Sequence, residues 1–217
     1  MAAVEMPQPL PVNVKTFSQL HVQNVSPVQG GFIQSIDRIT PLWTAKYQTP
    51  PLLPASAQVF QAFIDGLQGA ANTFLGFDPR VAKPYAYRTY AYGVKPWEAS
   101  ANSATINAAS PSASTITITG LSTSPNAVLT VGDYVSFLHG DLWYLHRIQA
   151  SVTASGGSAT VTVLPAPFLT ITSGSDYARL ERACAEMKII GGVAVTDKVE
   201  DVGPSYSFNA VQYFNRS

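Results

Sequence analysis

Apolar and polar positions alternate along much of this chain. Thr115-Ile116-Thr117-Ile118-Thr119 and Ala159-Thr160-Val161-Thr162-Val163 change face at every residue, the period of a strand that buries one side. Between them, Val131-Gly132-Asp133-Tyr134-Val135-Ser136-Phe137 and Leu142-Trp143-Tyr144-Leu145-His146-Arg147-Ile148 flank His139-Gly140-Asp141. A glycine there suits a tight turn, so the pattern predicts a β-hairpin. Ser155-Gly156-Gly157-Ser158 predicts the next turn. This stretch reads as a small antiparallel β-barrel or sandwich of about five or six strands.

The flanking parts carry strands and one helix. Residues 16–25 and 31–40 read as strands around the turn residues Ser26-Pro27, and 43–47 continues the sheet. Over 57–68 the period changes: Val59, Phe60, Phe63, Ile64 and Leu67 fall on one stripe at spacings of three and four. Ser56 is placed to cap this helix and Gly69 to end it. Residues 177–190 read as one or two strands, although 178–187 contains enough helix formers to allow a helix. In the last segment Tyr206, Phe208, Ala210 and Gln212 share one face of a closing strand.

Composition separates the two parts. Residues 100–175 hold 24 Ser or Thr and only three charged residues, Asp133, Asp141 and Arg147, while the other 141 residues hold 23 charges. Residues 99–175 are therefore expected to form a module inserted into an outer domain built from 1–98 and 176–217. The fold class is mainly β: a sheet-rich outer domain with one helix, plus an inserted small antiparallel β-barrel (OB/SH3-like) module.

The chain is 46% hydrophobic and 12% charged, about half the usual charged fraction, which excludes a highly charged disordered chain. Thirteen basic residues balance thirteen acidic ones, so no net field gathers nucleic acid or anionic lipid. Neither nucleic-acid binding nor a membrane span is expected, since no run approaches the roughly 20 apolar residues a span needs. Pro7, Pro9 and Pro11 forbid a helix in residues 1–14, which read as an extended arm rather than a signal peptide.

Candidate chemistry is sparse. His139, Asp141 and His146 supply two imidazoles and a carboxylate, but their spacing assures no common focus, and a surface or structural role is expected. The single cysteine, Cys184, cannot form an internal disulfide and reads as a buried structural thiol. No zinc spacing, nucleophile elbow or phosphate-cradling loop occurs, so no metal, no cofactor and no catalysis are expected. The run Tyr85-Ala86-Tyr87-Arg88-Thr89-Tyr90-Ala91-Tyr92 reads as a strand with Tyr85 and Tyr87 on one face and Tyr90 and Tyr92 on the other. These four tyrosines, with Trp97 and Trp143, are candidate subunit-interface residues, packing within the chain and ligand binding being the alternatives.

Two ordered stretches resemble a known family. Gly66-Leu67-Gln68-Gly69-Ala70-Ala71-Asn72-Thr73-Phe74-Leu75-Gly76-Phe77-Asp78-Pro79 resembles the run of helix, small-residue turn, Thr-Phe and Asp-Pro in distal tail proteins of long-tailed bacteriophages and phage-like gene transfer particles. Leu129-Thr130-Val131-Gly132-Asp133-Tyr134-Val135-Ser136-Phe137, then Trp143 to Ile148, then 156–165, are similar to that family's barrel signature. The resemblance covers roughly residues 30–190; the segments 85–97 and 99–114 have no counterpart in it. It implies a structural protein of the virion tail tip or baseplate, assembled in the host cytoplasm. Six copies would form a ring joining the tail tube above to hub and tail-tip proteins below. A tail-tube or tail-terminator subunit, and a carbohydrate-binding module using Tyr85, Tyr87, Trp97 and Trp143, are the alternative readings.

Overall fold

The computed structural model describes residues 3–7, 13–28, 32–37, 41–172, 174, 176–196 and 203–214. Their elements are, in chain order, β1 (Val4–Glu5), β2 (Asn13–Leu20), β3 (Gln23–Val28), β4 (Phe32–Asp37), β5 (Leu42–Gln48), α1 (Pro54–Leu67) and β6 (Phe74–Phe77). There follow β7 (Thr105–Ser110), β8 (Thr115–Thr119), β9 (Val128–Leu129), β10 (Tyr134–His139), β11 (Leu142–Ile148), β12 (Val152–Thr153) and β13 (Ser158–Leu164). The chain then forms β14 (Asp176–Arg179), β15 (Cys184–Thr196) and β16 (Ser205–Gln212). The protein is mainly β, with a single α-helix among the described residues.

A six-stranded sheet runs in the order β1-β6-β15-β16-β5-β2. Only the β1–β6 pair is parallel. The predicted closing strand is β16, and Tyr206, Phe208, Ala210 and Gln212 all point into the core. The helical alternative over 178–187 is not taken up. Residues there enter β14 and β15, and β15 pairs with β6 on one side and β16 on the other. Its register slips between Ile190 and Val193, where Gly191 and Gly192 take φ of 74° and 80°. That bulge is open to glycine and closed to most side chains.

α1 lays Ala57, Phe60, Phe63 and Leu67 on this sheet, with Phe60 against Tyr206 at 4.9 Å between ring centroids. The expected cap is corrected: the helix begins at Pro54 behind Leu53, not behind Ser56. Proline's fixed φ fits the first helical position, and its missing N–H has no partner to lose there. Gln68, in the left-handed region at φ 49°, ends the helix one residue before Gly69. Val59, expected on the buried stripe, is 53% exposed.

The expected turn at Ser26-Pro27 is also corrected. Both residues lie inside β3, Pro27 opposite Ile33 of β4, in a two-stranded ribbon. Proline is accommodated in a strand where its nitrogen faces away from the paired neighbour. The expected strand 16–25 divides after Leu20, its halves joining different sheets.

The remaining long strands pair in the order β10-β11-β13-β8-β7-β14, and β14 returns to β10, so the hydrogen-bonded ladder closes on itself. The two alternating runs recognised in the sequence, β8 and β13, lie side by side with Ile116 opposite Val161. Their inward residues Ile116, Ile118, Val161 and Val163 are fully buried. Both predicted turns form: Gly140 between β10 and β11 has φ 61°, and Gly156 and Gly157 have φ 57° and 78°. One apolar cluster fills the ladder and a second lies between sheet and helix. Tyr134 and Leu145 of the ladder belong to the second cluster, which makes the two parts share a core.

Candidate functional site

The aromatic run leaves the sheet at the end of β6. Asp78, buried, accepts the Arg80 backbone N–H at 3.0 Å and the Arg80 Nε–H and Nη2–H at 2.9 and 2.8 Å, starting a 3-10 turn over Pro79–Val81. The expected strand over 85–92 is corrected: Tyr85–Tyr87 is a second 3-10 turn, and the rest is an irregular loop. Pro84 and Pro96 bracket the run, and it pairs with no strand as a ladder. Asp133 anchors it instead by accepting the Tyr85 N–H at 2.8 Å, while its other oxygen accepts from Thr130 N–H and hydroxyl at 2.7 and 2.8 Å.

The six candidate residues divide by burial. Tyr85, Tyr90 and Tyr92 are 60%, 46% and 60% exposed. Tyr87 and Trp97 are buried within the chain, their rings 5.3 Å apart, and the Tyr87 hydroxyl accepts the Val128 N–H at 2.9 Å. These two residues are used up in intramolecular packing, so the interface expectation does not hold for their side chains. Trp143 lies on β11 and meets Tyr177 edge-on at 6.2 Å, with the Arg179 guanidinium 5.8 Å from its ring.

Cations sit on the exposed tyrosines. Arg88 lies 4.3 Å from the Tyr85 ring centre, while Lys83 and Arg182 lie 4.2 and 4.4 Å from that of Tyr92. Lys83, itself buried, donates to the Tyr90 carbonyl and stands 4.0 Å from Glu181. Glu181 in turn accepts the Gly93 N–H at 3.0 Å. The loop is thus a fixed surface of rings and guanidinium groups beside a cleft of about 310 Å³ lined by Arg80, Lys83, Arg88, Tyr90 and Tyr92. Its chemistry suits flat polar or anionic surfaces, through stacking and ion pairing.

The other sequence candidates do not converge. His139 pairs with Asp176 at 2.6 Å on the surface. His146 is buried, stacked on Phe137 at 5.6 Å, with its Nδ1 2.7 Å from the Pro165 carbonyl. Burial pushes its pKa down to about 4 against that hydrogen bond, leaving it neutral near pH 7. Among the described residues no group of three or more His, Cys, Asp or Glu is placed to hold a metal ion. Cys184 is buried, and burial drives its thiol up to about 11 despite Arg179 at 3.8 Å, so it is a poor nucleophile.

Sequence reasoning missed two features. One is the joint between sheet and ladder, where Phe17, Trp43 and Tyr134 form a ring triad with centroids 5.4, 5.8 and 5.5 Å apart. Arg147 packs on it, 5.3 Å from Trp43 and 4.8 Å from Tyr134, and bonds the Tyr134 hydroxyl. The sequence marked 43–47 as continuing the sheet but did not show what Trp43 would meet. The other is the pair of unlike sheet edges. Among the described residues, the eight-residue β2 has no strand paired on its outer side, whereas the opposite edge is covered by the two-residue β1.

No protein-family model matches this chain, and a search of curated proteins finds no match either. Among the described residues, no helix is long and apolar enough to cross a membrane.

Proposed function

We propose that this chain is a distal tail protein, a ring-forming structural subunit of a phage or phage-like tail tip, with the closed ladder as an inserted OB/SH3-like module and the sheet as the ring-forming domain. The observation that carries the reading is the difference between the two sheet edges: among the described residues, an eight-residue β2 with no strand on its outer side and a β6 covered by two residues. Unlike patches on one subunit make heterologous contacts, which generate rings when the rotation closes. The order of the family-like stretches and the lightly charged surface, which lowers the desolvation cost of subunit contacts, support the same reading. The tail tube above and hub or tail-tip proteins below are the proposed partners, in the virion. The exposed loop of Tyr85, Tyr90 and Tyr92 is a candidate contact surface, since tyrosine offers large area with few rotors to freeze.

Light scattering on the purified protein, followed by electron microscopy of the same peak, tests this. A closed ring of about six copies is expected, the copy number following from the family resemblance. Long stacked tubes would favour a tail-tube subunit, and a monomer at every concentration would oppose the ring. The carbohydrate-binding reading is weakened by the burial of Tyr87 and Trp97, which removes half of its expected sugar platform. A glycan array without signal above background would end it.

A further inference from the structure

Glu98 is a buried carboxylate without hydrogen bonds. Its side chain is 1% exposed, and neither of its oxygens accepts a hydrogen bond among the described residues. The Lys95 ammonium stands 3.5 Å from Glu98 Oε1, ion-paired but not hydrogen-bonded. Trp97, next in the chain to Glu98, is fully buried. Burying a carboxylate without hydrogen-bond donors is unfavourable, and a group fixed in that state is a candidate for chemistry.

Two turns bring Lys95 to a carboxamide. The Glu98 N–H closes on the Lys95 carbonyl at 3.0 Å and the Ser103 N–H on that of Ser100 at 3.1 Å. Asn102, within the second turn, lies in the left-handed region at φ 57°, which asparagine tolerates. Between the turns the chain is fastened to the ladder: Ser122 donates its N–H to the Trp97 carbonyl at 2.8 Å, and Ala99 donates its own to the Gly120 carbonyl at 2.9 Å. Lys95 Nζ is thereby placed 2.7 Å from Asn102 Oδ1. With a C=O bond of about 1.23 Å, the nitrogen is within about 3.9 Å of the carboxamide carbon, close to an attack distance. The Tyr177 hydroxyl of β14 donates to the same oxygen at 3.2 Å and lies 3.4 Å from Nζ. An amine, a carbonyl carbon, a proton acceptor and a donor to the oxygen where negative charge would develop thus share one spot.

We infer that Lys95 and Asn102 join through a self-catalysed isopeptide bond. Glu98 takes one proton from the Lys95 ammonium. The freed lone pair of Nζ forms a bond to Asn102 Cγ, and the carbonyl π pair moves onto Oδ1, held by the Tyr177 hydroxyl. Glu98 then passes its proton to Asn102 Nδ2 and takes a second one from Nζ. As the carbonyl reforms, the Cγ–Nδ2 bond breaks and its electron pair leaves with ammonia, which takes the proton from Glu98. One secondary amide and one ammonium ion replace the lysine ammonium and the carboxamide, so atoms and charge balance without an oxidant or co-reactant. The bond closes a ring through residues 95–102 and ties the tyrosine loop to the approach to β7. This inference does not depend on the ring reading.

The test is the intact mass of the purified full chain, kept folded at neutral pH. The chain should be lighter than its sequence by one ammonia, and its proteolytic digest should contain a branched peptide joining Lys95 to Asn102. Glu98→Gln keeps the shape but takes no proton, so its mass stays whole, as does that of Lys95→Arg. Full mass in the unaltered chain after prolonged incubation would overturn the bond. So would a deficit that persists in Lys95→Arg or yields to hydroxylamine, because that marks a succinimide at an asparagine. A branched peptide in Glu98→Gln would overturn the role given to Glu98. Should the variants fail to fold, the digest of the unaltered chain decides alone, and absence of the branched peptide overturns the inference.

Discussion

Trp43 donates its indole N–H to the Leu145 carbonyl at 2.8 Å, and that bond runs from the six-stranded sheet to the closed ladder. Both groups are buried, and the Trp43 ring sits in the triad with Phe17 and Tyr134 beneath Arg147. The two parts of the chain are thereby joined by a desolvated hydrogen bond inside an aromatic contact. Trp97 is equally buried, yet its indole N–H meets no acceptor among the described residues.

The contrast between these two tryptophans is measurable. Trp43→Phe leaves the Leu145 carbonyl without its donor and should cost about 2–3 kcal/mol. Trp97→Phe removes a donor that already has no partner, so the relief offsets part of the lost volume, and a loss of about half that size is expected. Urea denaturation of both variants decides it; equal losses would show that the Trp43 bond is not what sets them apart.

Gly76 is required by close approach rather than by backbone angle. A Cβ there would lie 2.5 Å from the Met187 sulfur and 2.9 Å from the Tyr47 hydroxyl, which is itself held on the Phe77 carbonyl at 2.9 Å. Gly76→Ala should destabilise by about 1–3 kcal/mol through overpacking. A melting temperature within a degree of the parent would mean that Met187 moves aside freely.

His146 should make the protein acid-sensitive. Its folded pKa of about 4 lies below the ordinary value of 6.5, so the unfolded chain binds the proton more readily. Stability from this residue is whole above pH 6.5 and is lost as pH falls from there towards 4, by about 3 kcal/mol at most. Once protonated, the ring would also bury a second donor, Nε2, that has no acceptor. Denaturation midpoints at pH 7.5 and 4.5 should differ more for the parent than for His146→Gln, and equal differences would remove His146 as the cause.

The tyrosine loop separates assembly from folding. Changing Tyr85, Tyr90 and Tyr92 together to Ala should alter monomer stability by about 0.5 kcal/mol or less per site, as exposed positions do. If the loop is a subunit contact, the same triple variant loses the assembled mass in light scattering. An unchanged mass would exclude the loop from the contact.

Much of the β architecture is legible in the residues themselves. The alternation at 115–119 and 159–163 named two strands that pair with each other, and Gly140 and Gly156-Gly157 marked turns because positive φ is open to glycine. The face of β16 was readable for the same reason, with even Gln212 turned inward to accept the Trp43 backbone N–H at 3.1 Å. The tyrosine run misled because strand propensity is a preference for a half-buried pleated surface, and this segment is held instead by Asp133 and by the Tyr87 hydroxyl on Val128, outside any ladder. Ser56 misled because Pro54, two residues earlier, fits the first helical position better than a side-chain cap could redirect it.

Local periodicity, turn glycines and the shift in charge density are properties of short windows, so the sequence alone marked most of the strands, placed the helix to within a few residues and set 99–175 apart from its flanks in composition. Which strands meet across long separations was decided only in three dimensions. Trp43 finds Leu145 at a distance of 102 residues, and Glu5 finds Arg179 at 174, because burying two apolar faces against each other selects partners by shape and desolvation that no short window contains. The same long-range packing set β2 at one edge of the described sheet and the two-residue β1 at the other.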